Sequence, residues 1–219
     1  MYNFFFILKW YLLGRLRIGR KTRKKKSIIK FYNLLDKLPR GSFVIDVGAN
    51  IGEISKICLD RGFVVEAFEP DPVAIKELTN KLSGYKKFSL FEFAVGLSPS
   101  KQKLYRTNEF NKNNPFTTNS SSLLSFRSGI NKPFVIINVM DFIKYLEEKK
   151  VNISLLKMDI EGSEIPILNR IIDLNLHKKI QNIFVETHEV FSHELGLETA
   201  KLKLRIKKLN IDNINLDWV

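Results

Sequence analysis

With 219 residues, 44% of them hydrophobic, the chain has the size of one α/β domain and the means to bury a proper core. One cysteine, Cys58, excludes a disulfide framework, and His177, His188 and His193 lack the spacing of a metalloprotease helix. The net charge of +13 is uneven: residues 1–40 hold twelve Lys and Arg against one acid, Asp36, leaving only +2 for the rest of the chain.

A nearly neutral domain argues against nucleic acid as substrate, because phosphate neutralisation by a basic surface supplies much of that affinity. The scarcity of cysteine fits a reducing, cytoplasmic setting. No metal site is assigned.

Phe4 to Leu13 is an aromatic and aliphatic run broken by Lys9, and a basic stretch from Arg15 to Lys26 follows it. The run is about half the roughly 20 residues that span a bilayer. It also lacks the preceding basic region and the small-residue cleavage site of a secretory signal. Two readings are open. In one, Phe4, Phe5, Phe6, Trp10 and Tyr11 sit at a membrane interface while Arg17, Arg20, Lys21 and Arg23 to Lys26 face anionic lipid, so that residues 1–26 make a peripheral contact on the inner membrane face. In the other, a helix packs on the domain or a partner and a solvated basic linker follows. Residues 1–40 are read as a basic amphipathic extension and 41–219 as the domain.

From Phe43 the pattern alternates. Phe43–Val47 reads as a buried strand, Ile54, Ile57 and Cys58 have helical spacing closed by Gly62, and Phe63–Phe68 reads as the second strand. Asp71 caps a helix with Pro72 at its first position, running to Leu82. Phe88–Val95 is expected as a third strand, and residues 101–107 as a short hairpin-like one. Asn108 to Gly129 is a long polar loop. Phe134–Val139 is strand-like, Met140–Lys149 helix-like, and Leu155–Met158 and Ile183–Val185 are buried strands. Such alternation predicts a doubly wound, mostly parallel sheet with ligands at the carboxyl ends of its strands.

Directly after the first strand comes Asp46-Val47-Gly48-Ala49-Asn50-Ile51-Gly52. Gly48 and Gly52 permit a tight turn and close approach of backbone to ligand. Asn50 replaces the middle glycine of a dinucleotide loop, which speaks against nicotinamide chemistry and suits a ligand without pyrophosphate. Asp46 is expected to meet an ammonium group. Glu69 ends the second strand, placed to accept hydrogen bonds from ribose hydroxyls.

These residues resemble the FkbM family of methyltransferases over roughly residues 43–190. The resemblance takes in that loop, Phe68-Glu69-Pro70, Ala94-Val95-Gly96, Ser120-Ser121-Ser122-Leu123, Val185-Glu186-Thr187-His188 and, most specifically, Lys157-Met158-Asp159-Ile160-Glu161-Gly162-Ser163-Glu164. It implies a Rossmann-like class I methyltransferase fold and S-adenosylmethionine as cofactor. Asp46, Gly48, Ala49, Asn50, Gly52 and Glu69 would then bind the cofactor, with Glu92 and Phe93 bordering the adenine. It also implies a saccharide or other small-molecule acceptor methylated on a hydroxyl, as in glycan biosynthesis.

Asp159 and Glu161 end a central strand where the methyl group is expected, and they could orient hydroxyls, meet the cofactor ammonium or hold a divalent cation. His188, at the end of the next strand, is expected to titrate near neutrality and act as general base. Asn113-Asn114-Pro115-Phe116 has the look of a DNA adenine methyltransferase loop but precedes the strand that such a loop should follow. The non-catalytic alternative is a methyltransferase-like binding module at a membrane.

Overall fold

The computed structural model describes residues 2–118, 121–124 and 133–218; Ser120 and much of the polar loop lie outside them. Two helices lead in, α1 (Tyr2–Arg15) and α2 (Arg20–Lys37). The domain then alternates β1 (Phe43–Val47), α3 (Glu53–Asp60), β2 (Val64–Phe68), α4 (Pro72–Leu82) and β3 (Phe88–Phe91). After three strands of a second sheet and α5 (Phe142–Glu148) come β7 (Leu155–Met158), α6 (Glu164–Asp173), β8 (Ile183–Val185), α7 (His193–Lys208) and β9 (Ile214–Asn215).

The main sheet has six parallel strands in the order β3-β2-β1-β7-β8-β9. The chain winds outward from β1 in one direction and from β7 in the other. The switch therefore falls between β1 and β7, the place where an open α/β sheet leaves a crevice for ligand. Strands β1 and β7 are almost wholly buried, as their mostly apolar sequences require. This is a Rossmann-like α/β fold.

Each face of the sheet carries helices. Leu146, Leu168, Ile171 and Leu202 of α5, α6 and α7 pack on Ile45, Leu156 and Ile183. On the opposite face Cys58, Leu59, Leu78 and Leu82 of α3 and α4 meet Val44, Val65 and Leu155. Burial pushes the Cys58 thiol up to about 12, so it is a core residue and not a nucleophile.

The basic stretch is helical, not a solvated linker. Phe31 and Leu35 of α2 are buried in the second core layer, with the Phe31 ring 4.1 Å from Trp218 and 5.2 Å from Phe184. Phe31→Ala should accordingly cost about 3–5 kcal/mol. Thermal unfolding should show a melting point lower by roughly 10 °C.

Expectation and structure part company at the third strand. Phe88–Val95 is two strands: β3 stops at Phe91, where the Phe93 N–H turns back onto the Phe91 carbonyl (2.9 Å). Ala94–Gly96 becomes β4, paired in a separate small sheet of order β4-β6-β5 with β5 (Ser100–Tyr105) and β6 (Phe134–Asp141). The expected helix from Met140 starts two residues later, because Asp141 ends β6 and caps α5 by accepting from the Lys144 N–H (3.0 Å). The cap of α4 by Asp71 is as expected.

Candidate active site

Gly48 lies at φ +76, and a Cβ there would sit 1.8 Å from the Asp159 carbonyl oxygen. The loop after β1 thus presses its bare backbone on the end of β7. Asn50 is left-handed too (φ 48), a conformation an asparagine tolerates. Gly52 (φ 80) caps α3, and a Cβ there would strike Leu82, so it serves helix packing.

Behind the loop Asp46 is fully buried. It accepts from the Ser55 hydroxyl (2.7 Å) and pairs with the Lys157 ammonium (3.1 Å), which also donates to the Gly48 carbonyl (2.7 Å). Burial works against the Lys157 charge, but Asp46, Asp159 and Glu69 outweigh it and raise its pKa. Asp46 therefore holds the loop from beneath; its carboxyl does not line either cleft beside the loop.

Gly48, Asn50, Glu69 and Phe93 do line one cleft together, with Asp159 and Glu161 at its far side. Ala49 lines a second cleft across the loop, shared with Asn50, Lys157, Asp159, Phe116 and Trp218. Glu92 is exposed and lines neither. Glu69 accepts from the backbone N–H groups of Asn50 and Asp71, each at 2.8 Å. Burial pushes it up to about 7 despite those two bonds.

Three further contributors come from outside the predicted site set, and sequence reasoning missed two of them, Thr118 and Arg106. Thr118 donates to the Asn50 side chain (3.0 Å), which puts the Asn-Pro-Phe segment over the first loop and not after β7. Arg106 makes a bidentate pair with Asp71 (2.8 and 2.9 Å), tying the small sheet to the start of α4. Ser122 donates to the Glu161 carbonyl (2.7 Å), fixing the polar loop against the reactive end. Only Ser122, inside the Ser-Ser-Ser run, had a signal in the sequence.

The Asp-Ile-Glu-Gly-Ser-Glu block divides its acids by position. Glu164, in the first turn of α6, accepts from the backbone N–H groups of Ile160 (3.0 Å) and Gly162 (3.2 Å), so it braces the loop between β7 and the helix. Asp159 and Glu161 are left facing the cleft. The buried His188 ring lies between, with Nδ1 3.0 Å from Glu164 and Nε2 3.1 Å from Glu161 and 3.7 Å from Asp159.

Burial pulls the His188 pKa down, but the carboxylates of Glu161 and Glu164 beside its two nitrogens win and hold it at about 10. The imidazolium is the resting form, so the expected titration near neutrality is not what this environment gives. Asp159 shows the opposite balance: burial, aided by Glu186, overcomes Lys157 and pushes it up to about 7, and its Oδ1 accepts no hydrogen bond. Asp159, Glu161 and His188 also offer three ligand atoms within 4.8 Å of one another, a spacing a divalent cation could use.

A glycine loop on a parallel strand, an acid at the end of the next strand and a carboxylate pair across the switch point thus stand together at one end of the sheet. The model of the methyltransferase FkbM domain matches residues 46–206. The chain belongs to the FkbM methyltransferase family. It is therefore a methyltransferase, and the matched span runs from Asp46 of the first loop through α7. Neither the curated proteins nor the solved structures contain a match.

Proposed function

We propose that this FkbM methyltransferase uses S-adenosylmethionine to methylate a hydroxyl group of a saccharide or similar small polyol, with Asp159 as the general base. The cofactor supplies a methyl carbon made electrophilic by its sulfonium. The chain's own residues fit it: Gly48 leaves the space a Cβ would fill, Asn50 and Phe93 line the cleft, and Glu69 presents a carboxylate to ribose hydroxyls. With the cofactor and acceptor bound, Asp159 would hold the acceptor hydroxyl and take its proton as the methyl group was transferred.

The observation that carries this reading is the position of Asp159. It lines both clefts at once, has an oxygen free of hydrogen bonds and ionises near neutrality. His188 then acts as a fixed cation that orients Glu161 and steadies the ionised Asp159. The second cleft supports a sugar-like acceptor: Trp218 and Phe116 offer apolar faces, Asp159, Lys157 and Glu53 polar edges, and the buried Trp218 indole N–H has no hydrogen-bond partner. Nucleic acid is disfavoured by the charge of +2 outside residues 1–40. A cytoplasmic location accords with this reading.

Titration calorimetry with S-adenosylhomocysteine tests the cofactor assignment. Wild type should bind at micromolar Kd, and Glu69→Ala should weaken binding about 10–100-fold by removing charged hydrogen bonds. A folded wild type that does not bind leaves a non-catalytic module as the better reading. A second reading of the Asp159, Glu161 and His188 trio as a divalent-cation site rests on its ligand spacing. Activity abolished by EDTA and restored by Mg²⁺ would favour it over proton transfer by Asp159 alone.

A further inference from the structure

Helix α1 is apolar on two opposite sides, and only one of them is used. Its inner side packs on the domain. The Tyr11 hydroxyl bonds His193, Arg15 donates to the Val190 carbonyl (2.7 Å), and Gly14 packs on the Glu189 side chain. Trp10 lies between the cations of Arg23 (5.5 Å) and Lys203 (4.4 Å). The opposite side carries Phe4, Leu8, Leu12 and Leu16 at intervals of four, one unbroken stripe along the helix and into the turn, with Phe5 beside it. All five are exposed, Phe4 at 65% and Leu16 at 64%.

The turn into α2 extends the stripe. Arg17 (φ 56) and Gly19 (φ 65) are both left-handed, and between them Ile18 stands 52% exposed. Arg23 closes the turn by donating to the Ile18 carbonyl (2.7 Å), so the exposed residues sit on a locked hairpin and not on a frayed end. Lys9, Arg17, Lys21, Lys25 and Lys26, all exposed, supply the charge of this hairpin, and residues 1–35 contain no acid.

An apolar ridge amid cations alone has one natural complement. A second copy of the same surface would bring like charges together, which is costly. A lipid surface offers acyl chains to the ridge and anionic headgroups to the cations. Among the described residues no helix is long and apolar enough to cross a membrane. A helix of 14 residues is about 21 Å long, short of the roughly 30 Å hydrocarbon core.

We propose that α1 and the turn after it lie in the interface of an anionic membrane. This holds the methyltransferase at the surface as a peripheral protein. The hairpin also reaches the reactive end, since Lys24 (2.6 Å) and Arg20 (3.5 Å) pair with Glu186, two residues before His188. Docking therefore brings the carboxyl ends of the strands towards the lipid. The acceptor class that fits such a placement is a hydroxyl compound carried at that surface, which rests on the methyltransferase reading; the docking itself does not.

Vesicle co-sedimentation of the full chain tests the docking. Wild type should bind phosphatidylcholine vesicles containing phosphatidylglycerol about tenfold better than phosphatidylcholine alone, and lose that advantage in high salt. Leu8→Ser with Leu12→Ser, and separately Lys21→Glu with Lys25→Glu, should each weaken binding about tenfold while melting point and S-adenosylhomocysteine affinity stay at the wild-type value. Equal binding by wild type and both variants overturns the proposal. So does a wild type that ignores anionic vesicles, or a dimer in sedimentation equilibrium that the Leu8 and Leu12 changes dissolve. Vesicle binding without S-adenosylhomocysteine binding would retain the docking and remove the cofactor assignment.

Discussion

Gly48→Ala should abolish S-adenosylhomocysteine binding and lower stability by at least about 2 kcal/mol. Two effects add. The residue sits at φ +76, a region that costs an alanine about 1–2 kcal/mol. The new methyl group would also stand 1.8 Å from the Asp159 carbonyl oxygen and 2.9 Å from its carbon, and both belong to backbone that is fixed by β7. The loop or the strand end must shift, and either shift displaces the lining shared by both clefts.

Gly41→Ala separates the two effects. That glycine has φ +89 but nothing within 4 Å of the position of a Cβ, so it carries the conformational cost alone. It should lose about 1–2 kcal/mol and bind normally. Equal binding by the Gly48 and Gly41 variants in the same titration would mean that the close approach to Asp159 has no bearing on the cofactor.

Asp159→Asn should lower kcat by about 10²–10⁴ with little change in S-adenosylhomocysteine affinity. The size follows from removing the base while leaving a side chain of the same shape. The pH profile gives a sharper reading. With Asp159 pushed up to about 7, kcat/KM should climb below that pH and level off above it, because only the ionised form takes a proton. The variant should lose this limb. A profile that keeps its limb near 7 in Asp159→Asn would move the base to another group.

Stability runs the other way. A carboxyl whose folded pKa is raised favours the protonated folded form. Its contribution is full below the ordinary carboxylate range and is lost as pH rises through about 7. Glu69, also pushed up to about 7, adds in the same sense. Denaturant unfolding should therefore show wild type losing stability relative to Asp159→Asn as pH passes through about 7. His188, held at about 10, contributes in full below the ordinary imidazole range and loses that contribution progressively as pH rises from there through about 10.

Much of the fold is legible along the chain. Mostly apolar runs mark β1, β7 and β8 because a parallel strand is buried on both faces, and Asp71-Pro72 marks the start of α4 because a cap and a fixed φ act locally. The glycine loop, Glu69 and the Asp159–Glu164 block are likewise readable, since each stands at the end of its own strand. Third-strand pairing is not. Phe88 to Val95 is mostly apolar with only Ser89 and Glu92 between, and only the tertiary turn at Phe93 decides that its halves belong to different sheets.

Site chemistry divides along the same line. Residue type and order determined that carboxylates and a histidine would gather at the switch point. Which of them carries charge was decided by neighbours distant in sequence: Lys157 takes up Asp46, and Glu161 and Glu164 close on both nitrogens of His188. The two-sided helix α1 shows it most plainly. Composition announces an apolar run with cations after it, but only packing against α7 decides which side of that run remains open to solvent. Local preference acts through bonded neighbours and is written in the chain, whereas burial and electrostatic pairing act through space and exist only once the chain has folded.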